Sequence, residues 1–356
     1  MGKRANAGTC LRLLVKMASP LCQRAERECP RTGPGRKPEI PDWVMAVLIM
    51  VAVAKRRKSK SAQFRFLCEN QKELLDWMNT NKFPSRSTFF DRYRRAHRLF
   101  EQAIRIQGQK AIEEGVADAR QVAVDKSMIA ARGPLWHKND RIKNRIPDKL
   151  RGVDQDSGWG CSHHDGWVQG YSYEVVVSCR KNRIVFPLLA SASTASAKET
   201  KSFEPKIASL PKSTKFVSAD SGYDSNAIGE KVEWHDVNHR TGRRFLCAEN
   251  KRGKKDKRDP ETIAPRDKTH RRRLQRQKFY AGKRGRSVYK QRSKTVEPFN
   301  EWFKTLFELD QRVWHRGLEN NQTQILAGVF LYQLLLRLNH RKGNKNARIK
   351  WILDIL

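Results

Sequence analysis

The sequence predicts an α/β fold in which a mixed sheet is flanked by helices and preceded by an all-helical segment. Three observations support this. Helix-period patterns with capping residues dominate residues 38–116, and short β-branched apolar runs alternate with helical segments over residues 117–250. From residue 295 onward, apolar residues recur at helical spacing. Strands that alternate with helices form sheets whose faces the helices cover.

Composition indicates the partner before any motif does. The chain has 356 residues, enough for two or three domains, and carries 73 Lys and Arg against 37 Asp and Glu, a formal charge of +36. A surplus of this size favours a polyanion, because cations that neutralise phosphates release condensed counterions. The 38% hydrophobic content excludes general disorder. Composition therefore predicts nucleic acid, without choosing between a scaffold and an enzyme.

Cysteine usage and hydropathy bear on the compartment. The seven cysteines are scattered and form no C-x-x-C pair, which favours free thiols in a reducing compartment. The longest apolar run, residues 44–54, is too short to cross a membrane and predicts a buried helix. We therefore expect a cytoplasmic protein with no membrane partner.

The first elements are predicted to be a tail and then helices. Residues 1–37 predict a flexible basic tail that ends in a Pro- and Gly-rich linker. Asp42 can cap the first helix. Helical patterns follow at residues 42–54, 61–68 and 71–78.

A basic helix comes next, with Ser85 or Ser87 as its N-cap. A basic helix that opens after a short turn is typical of a helix-turn-helix, whose last helix enters the major groove. We therefore predict a DNA-binding domain over residues 38–116. An ordinary helical bundle with a solvated basic face is the alternative. The predicted DNA contacts on this helix are Arg92, Arg94 and Arg95.

Residue 117 begins the predicted sheet region, the first part of a catalytic core that runs to residue 250. Strands are predicted at residues 121–125, 170–179, 183–190, 215–220 and 244–248. A weak helical segment over residues 194–210 and a helix over 225–234 separate the later strands.

Residues 251–294 interrupt the pattern with dense Lys and Arg and little apolar periodicity. We interpret them as a basic insertion, either a mobile solvated loop or a clamp that DNA orders. Interleaved aromatic residues favour the clamp slightly, since basic groups and rings together suit contacts with the nucleic-acid backbone and bases. The second, helical part of the core follows over residues 295–356. Predicted DNA contacts in the insertion are Arg271, Arg272 and Arg273.

Three acidic residues carry the chemical prediction. Asp125 and Asp220 each end an apolar strand, and Glu297 opens an amphipathic helix. A single Asp at a strand end is common, so the argument depends on their combined setting. Carboxylates at a sheet centre are costly without a cation, and a divalent metal neutralises two at once. This pattern suits Mg²⁺-dependent chemistry on a nucleic-acid backbone.

Local motifs add a family resemblance. Val-Asp-Lys-Ser surrounds Asp125, and Ala-Asp-Ser-Gly-Tyr-Asp-Ser surrounds Asp220. On these segments the chain resembles bacterial insertion-sequence DDE transposases, whose catalytic core is RNase H-like. A third match is similar to the Tyr-Arg-Glu-Lys signature of one large subgroup. Its spacing from Arg to Glu is one residue longer than usual, and Pro298 follows the glutamate. The residues of this third match are Tyr289, Arg292, Glu297 and Lys304.

The resemblance implies a mechanism and partners. Asp125, Asp220 and Glu297 would hold two Mg²⁺ ions, with Mn²⁺ able to substitute. One ion activates water or a 3′-hydroxyl, and the other stabilises the departing oxygen. The implied partners are double-stranded DNA, as terminal inverted repeats and as target, and a second copy of the chain in a homodimer on DNA. The implied phosphate contacts are Tyr289, Arg292 and Lys304.

Two other functions remain open at this point. A transposase-derived protein without catalysis would bind DNA as a repressor does. A stand-alone RNase H-like nuclease would act on junctions or RNA–DNA hybrids. The basic helix and the basic insertion favour a transposase over such a nuclease.

Overall fold

The computed structural model describes residues 7–30, 38–137, 139, 149–162, 166–181, 183–236, 238–250 and 267–356. The N-terminal helices, the sheet and the C-terminal helices share one continuous hydrophobic core. Among the described residues, no helix is long and apolar enough to cross a membrane. All seven cysteines are free thiols.

In the described part of the chain, six α-helices precede the first strand: α1 (Ala7–Glu28), α2 (Asp42–Ala54), α3 (Lys60–Glu69), α4 (Gln71–Met78), α5 (Arg86–Arg95) and α6 (His97–Glu113). Residues 44–54 of α2 are all buried, as the apolar run predicted. Ser85 is the N-cap of α5, and its hydroxyl accepts a hydrogen bond from Thr88 N at 3.2 Å. Asp42 is no cap, because it lies inside the first turn of α2.

The predicted flexible tail is wrong for residues 7–28. These residues form α1, which packs against α2 and α6. Leu14, Val15 and Ala18 on its inner face are fully buried. Arg12 and Lys16 interrupt the apolar run in sequence, but at helical spacing both lie on the exposed face. Helical periodicity, rather than run length, was the informative signal.

The described residues contain six strands: β1 (Gln121–Ala130), β2 (Gly158–Ser162), β3 (Gly166–Ser178), β4 (Pro187–Thr194), β5 (Phe216–Ala219) and β6 (Arg244–Cys247). Long β3 is antiparallel to β1 on one edge and to both β2 and β4 on the other. Beyond β1, strands β5 and β6 run parallel to it. This is the predicted mixed sheet, with antiparallel strands at one end and parallel strands at the other.

Helices cover the sheet and follow it: α7 (Glu199–Phe203), α8 (Asn226–Glu233), α9 (Lys268–Ala281), α10 (Lys283–Ser293), α11 (Val296–Leu306), α12 (Leu318–Arg341) and α13 (Lys350–Ile355). A 3-10 turn follows α7 at Glu204–Ser209, and another follows β5 at Ser221–Tyr223. Helix α12 is buried along most of its length and packs against α6, α2 and β4.

The predicted basic insertion has a different structure from either alternative. Residues 251–266 lie outside the described residues, whereas the rest of the segment forms α9 and α10. Both helices pack against β5 or β6. Phe279 of α9 stacks on Phe216 of β5 with their rings 4° from parallel. Residues 268–293 are thus part of the folded core, and their many cations concealed this in the sequence.

The N-terminal helices adjoin the sheet closely. A Cβ atom at Gly108 of α6 would lie 2.7 Å from the backbone oxygen of Leu188 in β4, so this close approach requires glycine. Arg337 of α12 is 1% exposed and binds Gln107 and Glu114 of α6. The domain divisions at residues 37, 116, 250 and 294 stay predictions.

Candidate active site

Parallel pairing of β1 and β5 brings Asp125 and Asp220 to the same level of the sheet. Ala123 pairs with Ser218, and each aspartate lies two residues farther along its own chain. Strand β5 ends at Ala219, so Asp220 opens the loop at its carboxyl end. This is the edge at which α/β sheets usually place functional groups. Strand β1 instead continues to Ala130, so the prediction that Asp125 ends its strand is wrong.

Asp125 is held by two donors from the helices that follow. Arg292 Nη2 donates to its Oδ1 at 2.5 Å, and Asn300 Nδ2 donates to its Oδ2 at 2.8 Å. Burial raises the pKa of the Asp125 carboxyl to about 6. The cation of Arg292 opposes this rise, and the charge of Asp220 adds to it. The cost of burying the Asp125 carboxylate therefore exceeds the stabilisation that Arg292 gives it.

Arg292 lies between the two aspartates. The same Nη2 atom that binds Asp125 is 3.7 Å from Asp220 Oδ2. Desolvation lowers the pKa of Arg292, but attraction from Asp125, and next from Asp220, outweighs it and leaves the pKa raised. In this structure Arg292 contacts the acids, and its predicted contact with phosphate stays a prediction.

Glu297 occupies the first turn of α11, and Pro298 does not prevent this because proline is tolerated in a first turn. The Glu297 side chain is exposed, yet its charge also raises the pKa of Asp125, which places it in electrostatic range. Asn300 lies three residues farther on and Lys304 seven, both on the Glu297 face of the helix. Asn300 was missed in the sequence, although its helical spacing from Glu297 was visible.

A buried network fixes the loop that carries Asp220. Glu174 of β3 is 2% exposed and accepts from Lys206 Nζ at 2.7 Å and from the Tyr223 hydroxyl at 2.8 Å. Burial raises the pKa of Glu174. Within the loop, Asp220 Oδ1 accepts from Gly222 N at 2.9 Å. The Asp-Ser-Gly-Tyr-Asp segment is therefore anchored to the sheet by its tyrosine.

Another acid that the sequence did not single out is Glu199, at the start of α7. Burial raises the pKa of its carboxyl to about 7. The charge of Asp220 contributes to the rise, and that of Asp125 does so less. No motif marked Glu199, because chain folding alone brings it near the aspartates.

In α5, the predicted recognition helix, one of the three predicted DNA contacts binds residues of the protein itself. Arg92 donates to Ile40 O at 2.6 Å and to Asp42 Oδ1 at 3.2 Å, and 11% of its side chain is exposed. These contacts fix the start of α2, and DNA contact by Arg92 stays a prediction. Arg94 and Arg95 are exposed on the same helix, so DNA contact there stays a prediction.

Predicted contacts in α9 and α10 also have partners within the protein. Arg272 lies over the Trp234 ring with its guanidinium carbon 3.6 Å from the centroid, and Arg273 binds Asp224 at 2.9 Å. Tyr289 meets Tyr280 edge-on, with centroids 4.9 Å apart. DNA contact by these residues stays a prediction, as it does for half-buried Arg271 and Lys304.

The acids suit a hard divalent cation, although the described residues contain no group of three Asp, Glu, His or Cys side chains placed to bind one ion. The donors are oxygens, as Mg²⁺ prefers. Asn300 Oδ1 is buried and has no hydrogen-bond partner, so it is a free acceptor next to Asp125. The Arg292 guanidinium lies against Asp125 and Asp220, which shows that these two carboxylates attract a cation. The oxygen donors and this need for positive charge fit a divalent ion.

Comparison with known proteins identifies the family. No curated protein matches the sequence. The chain is similar to a solved piggyBac transposase synaptic complex with hairpin DNA, at 10% identity and a TM-score of 0.43, over 99% of this chain and 79% of that one. A family model described as a transposase DDE domain matches residues 117–334, which include all three predicted acids. Because this match covers more than half of the 356 residues, the chain belongs to the transposase DDE domain family.

Proposed function

We propose that this transposase-family protein binds the inverted repeats at the ends of its element, cuts the DNA by metal-dependent hydrolysis and joins the 3′-hydroxyl to target DNA. The observation that carries the proposal is the common level of Asp125, within β1, and Asp220, directly after β5, on two adjacent parallel strands. Phosphoryl transfer needs positioning and charge neutralisation, which paired carboxylates provide once they hold cations.

Asp125, Asp220 and Glu297 would hold two Mg²⁺ ions, or Mn²⁺ in their place. When bound, such ions supply an activated water or 3′-hydroxyl and stabilise the departing oxygen. The chain's own residues prepare this site. Asn300 orients Asp125 through its amide, and Tyr223 fixes the loop that carries Asp220.

Arg292 has two roles in this proposal. Without metal, its guanidinium neutralises Asp125 and approaches Asp220. With cations held by the acids, the Arg292 guanidinium would be available to bind a phosphate of the DNA, to which Arg can make bidentate contacts. Lys304, two turns after Glu297, supplies a second cation for the backbone near the cut.

The protein's charge of +36 supports a large phosphate interface. Each neutralised phosphate contributes about 0.9 to the salt slope of duplex binding. Affinity for DNA should therefore fall steeply with ionic strength. Two element ends call for two active sites, so we propose a homodimer assembled on DNA. The proposed site of action is the cytoplasm, with the protein on the nucleoid.

The test uses purified full-length protein and DNA that flanks its own gene, with Mg²⁺ or Mn²⁺. Asp125→Asn, Asp220→Asn and Glu297→Gln should each reduce cleavage at least ~10³-fold, comparable with loss of a principal electrostatic contributor. Each variant should still shift the same DNA. Glu113→Gln, at the exposed end of α6, is the control and should cut normally.

Other outcomes separate the competing functions. Full activity in any acid variant would exclude that residue from the site. Wild-type protein that shifts element ends but never cuts them with metal present would be a DNA-binding protein without catalysis. A preference for RNA–DNA hybrids over the flanking DNA would identify a stand-alone nuclease.

A further inference from the structure

Glu199 lies against the loop that carries Asp220. A Cβ atom built on Gly222 would overlap Oε2 of Glu199 and would lie 3.2 Å from Oδ1 of Asp220. The two carboxylate oxygens therefore lie on the same side of Gly222, next to one point in space. Because both oxygens lie close to the Cβ position of Gly222, a single divalent cation can reach both carboxylates after small side-chain rotations.

The backbone that carries Glu199 is fixed to the sheet. Lys126, the residue after Asp125, donates from Nζ to Ala195 O at 2.8 Å and to Ala197 O at 2.6 Å. Ala195 N also donates to Gly170 O of β3 at 3.0 Å. The start of α7 is thus tied to the strand that holds Asp125. The position of Glu199 follows from the fold rather than from a free loop.

Glu199 also lacks the partner that a structural glutamate usually has. Among the described residues, no Lys, Arg or His forms an ion pair with it. The nearby cation of Lys126 makes its two hydrogen bonds to carbonyl oxygens. Glu174, in contrast, is paired with Lys206. A half-buried carboxylate beside another carboxylate is unfavourable unless a cation joins them.

From this arrangement we propose that Glu199 is a further catalytic residue, a fourth carboxylate that binds the divalent cation held by Asp220. The role rests on the proposed function, since it assumes a cation at the Asp220 carboxylate. The proposed role also explains why residue 222 is glycine, because any side chain there would displace the Glu199 carboxylate. Gly222 has no positive φ, so its lack of a Cβ serves the close approach alone.

The first experiment measures Mn²⁺ binding to full-length, DNA-free protein by calorimetry. Glu199→Gln should weaken binding at least ~10-fold, the usual lower effect of altering a metal site. It should leave the melting temperature of the metal-free protein unchanged or higher, because it removes a repulsive charge. Glu204→Gln, which alters an exposed acid near α7, is the matched control and should bind as wild type does. Mn²⁺ affinity within twofold of wild type in Glu199→Gln would overturn the proposal.

The melting temperature distinguishes a variant that is less stable from one that has only lost a metal ligand. A fall of more than ~5 °C in the melting temperature of metal-free Glu199→Gln would identify a structural residue and also overturn the proposal. Glu199→Asp keeps the charge on a shorter chain. It should recover part of the Mn²⁺ affinity that the Gln variant loses.

A double-mutant cycle tests the geometry independently. Gly222→Ala should weaken Mn²⁺ binding about as much as Glu199→Gln, because the new methyl group displaces the carboxylate. In a Glu199→Ala background the space is open, so Gly222→Ala should cost little more. Additive losses would mean that the two residues act separately and that the proposed contact is wrong.

The same data separate this inference from the proposed function. If wild type binds Mn²⁺, Asp220→Asn loses binding and Glu199→Gln does not, only the role of Glu199 fails. If wild type binds no Mn²⁺ and never cuts DNA, the proposed metal-dependent function fails, and the role of Glu199 fails with it.

Discussion

Arg292 bridges Asp125 and Asp220, with its Nη2 atom 2.5 Å from one carboxylate and 3.7 Å from the other. The guanidinium occupies the place where a cation would compensate both acids. The metal-free site is thus stabilised by the protein's own charge. Any ion that binds there competes with Arg292, so the stability of the fold and the affinity for metal are linked through this residue.

We predict that Arg292→Gln destabilises the metal-free protein and strengthens its response to metal. Removing one partner of a fully buried ion pair costs about 3–5 kcal/mol. Because the Arg292 and Asp125 side chains retain 11% and 14% exposure, we expect ~2–3 kcal/mol here. Mn²⁺ should restore more stability to the variant than to wild type, since no guanidinium competes with it.

The measurement is urea unfolding with EDTA and again with Mn²⁺. Arg94→Gln, which removes an exposed cation paired with Asp91, is the control and should change stability by less than ~0.5 kcal/mol. Equal stabilisation of wild type and Arg292→Gln by Mn²⁺ would show that Arg292 does not compete with the ion.

A second prediction concerns pH. The pKa of Asp125 is raised to about 6 in the folded protein, above its ordinary value. The native state therefore holds a proton that the unfolded state releases, and this proton's contribution to stability is lost as pH rises from about 4 to 6. Relative to wild type, metal-free Asp125→Asn should gain up to ~3 kcal/mol over that interval, since its amide does not titrate.

Urea unfolding in EDTA at closely spaced pH values measures this difference. Subtracting the two proteins removes the contributions of titrating groups that do not interact with Asp125. A constant difference between wild type and Asp125→Asn from pH 4 to 7 would contradict the raised pKa.

The sequence identified the acids more readily than their surroundings, for a physical reason. Asp125 and Asp220 each follow a short apolar run, and such a pattern is local, so both were visible before the fold was known, although β1 continues past Asp125 to Ala130. Glu199 and Asn300 reach the site only through the packing of α7 and α11 on the sheet. Such contacts join residues far apart in the chain. Glu199 left no mark on local periodicity, and the helical spacing of Asn300 from Glu297 did not reveal its contact with Asp125.

Charge misled the prediction in two other places. Cations in α9 and α10 concealed two helices that pack on β5 and β6. Arg12 and Lys16 likewise made α1 read as a tail. In each helix a narrow apolar stripe suffices for packing, while long basic side chains extend along the surface into solvent. Arg92 is the opposite case: it is a cation predicted to contact DNA, and in the structure it donates to the backbone oxygen of Ile40.

A third prediction tests the network behind Asp220. Tyr223→Phe removes the hydroxyl that donates to Glu174 at 2.8 Å. The variant should lose about 1–2 kcal/mol of stability, because the bond goes to a charged acceptor. It should also cut DNA more slowly at saturating Mg²⁺, with DNA affinity unchanged, since the loop that carries Asp220 loses its anchor.

Tyr93→Phe is the matched control. Its hydroxyl lies 3.1 Å from His315 Nε2 in an equally buried setting away from the acids. It should lose comparable stability and retain the cleavage rate. If both variants cut DNA at the same reduced rate, the effect is general loss of stability, and the anchoring role of Tyr223 is wrong.

The last prediction concerns Arg337, which joins the N-terminal helices to α12. Its Nη1 donates to Gln107 at 2.7 Å and its Nε to Glu114 at 2.7 Å. Arg337→Met keeps much of the side-chain volume but leaves Glu114 without this partner. Since Glu114 is 28% exposed, we expect a loss of ~2–3 kcal/mol rather than the full penalty for a buried pair. Arg341→Gln, which removes an exposed contact to the same carboxylate, should cost less than ~1 kcal/mol.

Because α6, β4 and α12 share one core, the lost stability should appear everywhere at once. Amide hydrogen exchange near the unfolding midpoint measures this directly, with one set of peptides from α6 and another from β4. Both sets should open with the same free energy, and Arg337→Met should lower that value equally in the two. Opening of α6 at a lower free energy than β4 would show that residues 38–116 form a domain that unfolds by itself. Arg337 would then connect two separately folding units rather than stabilise one shared core.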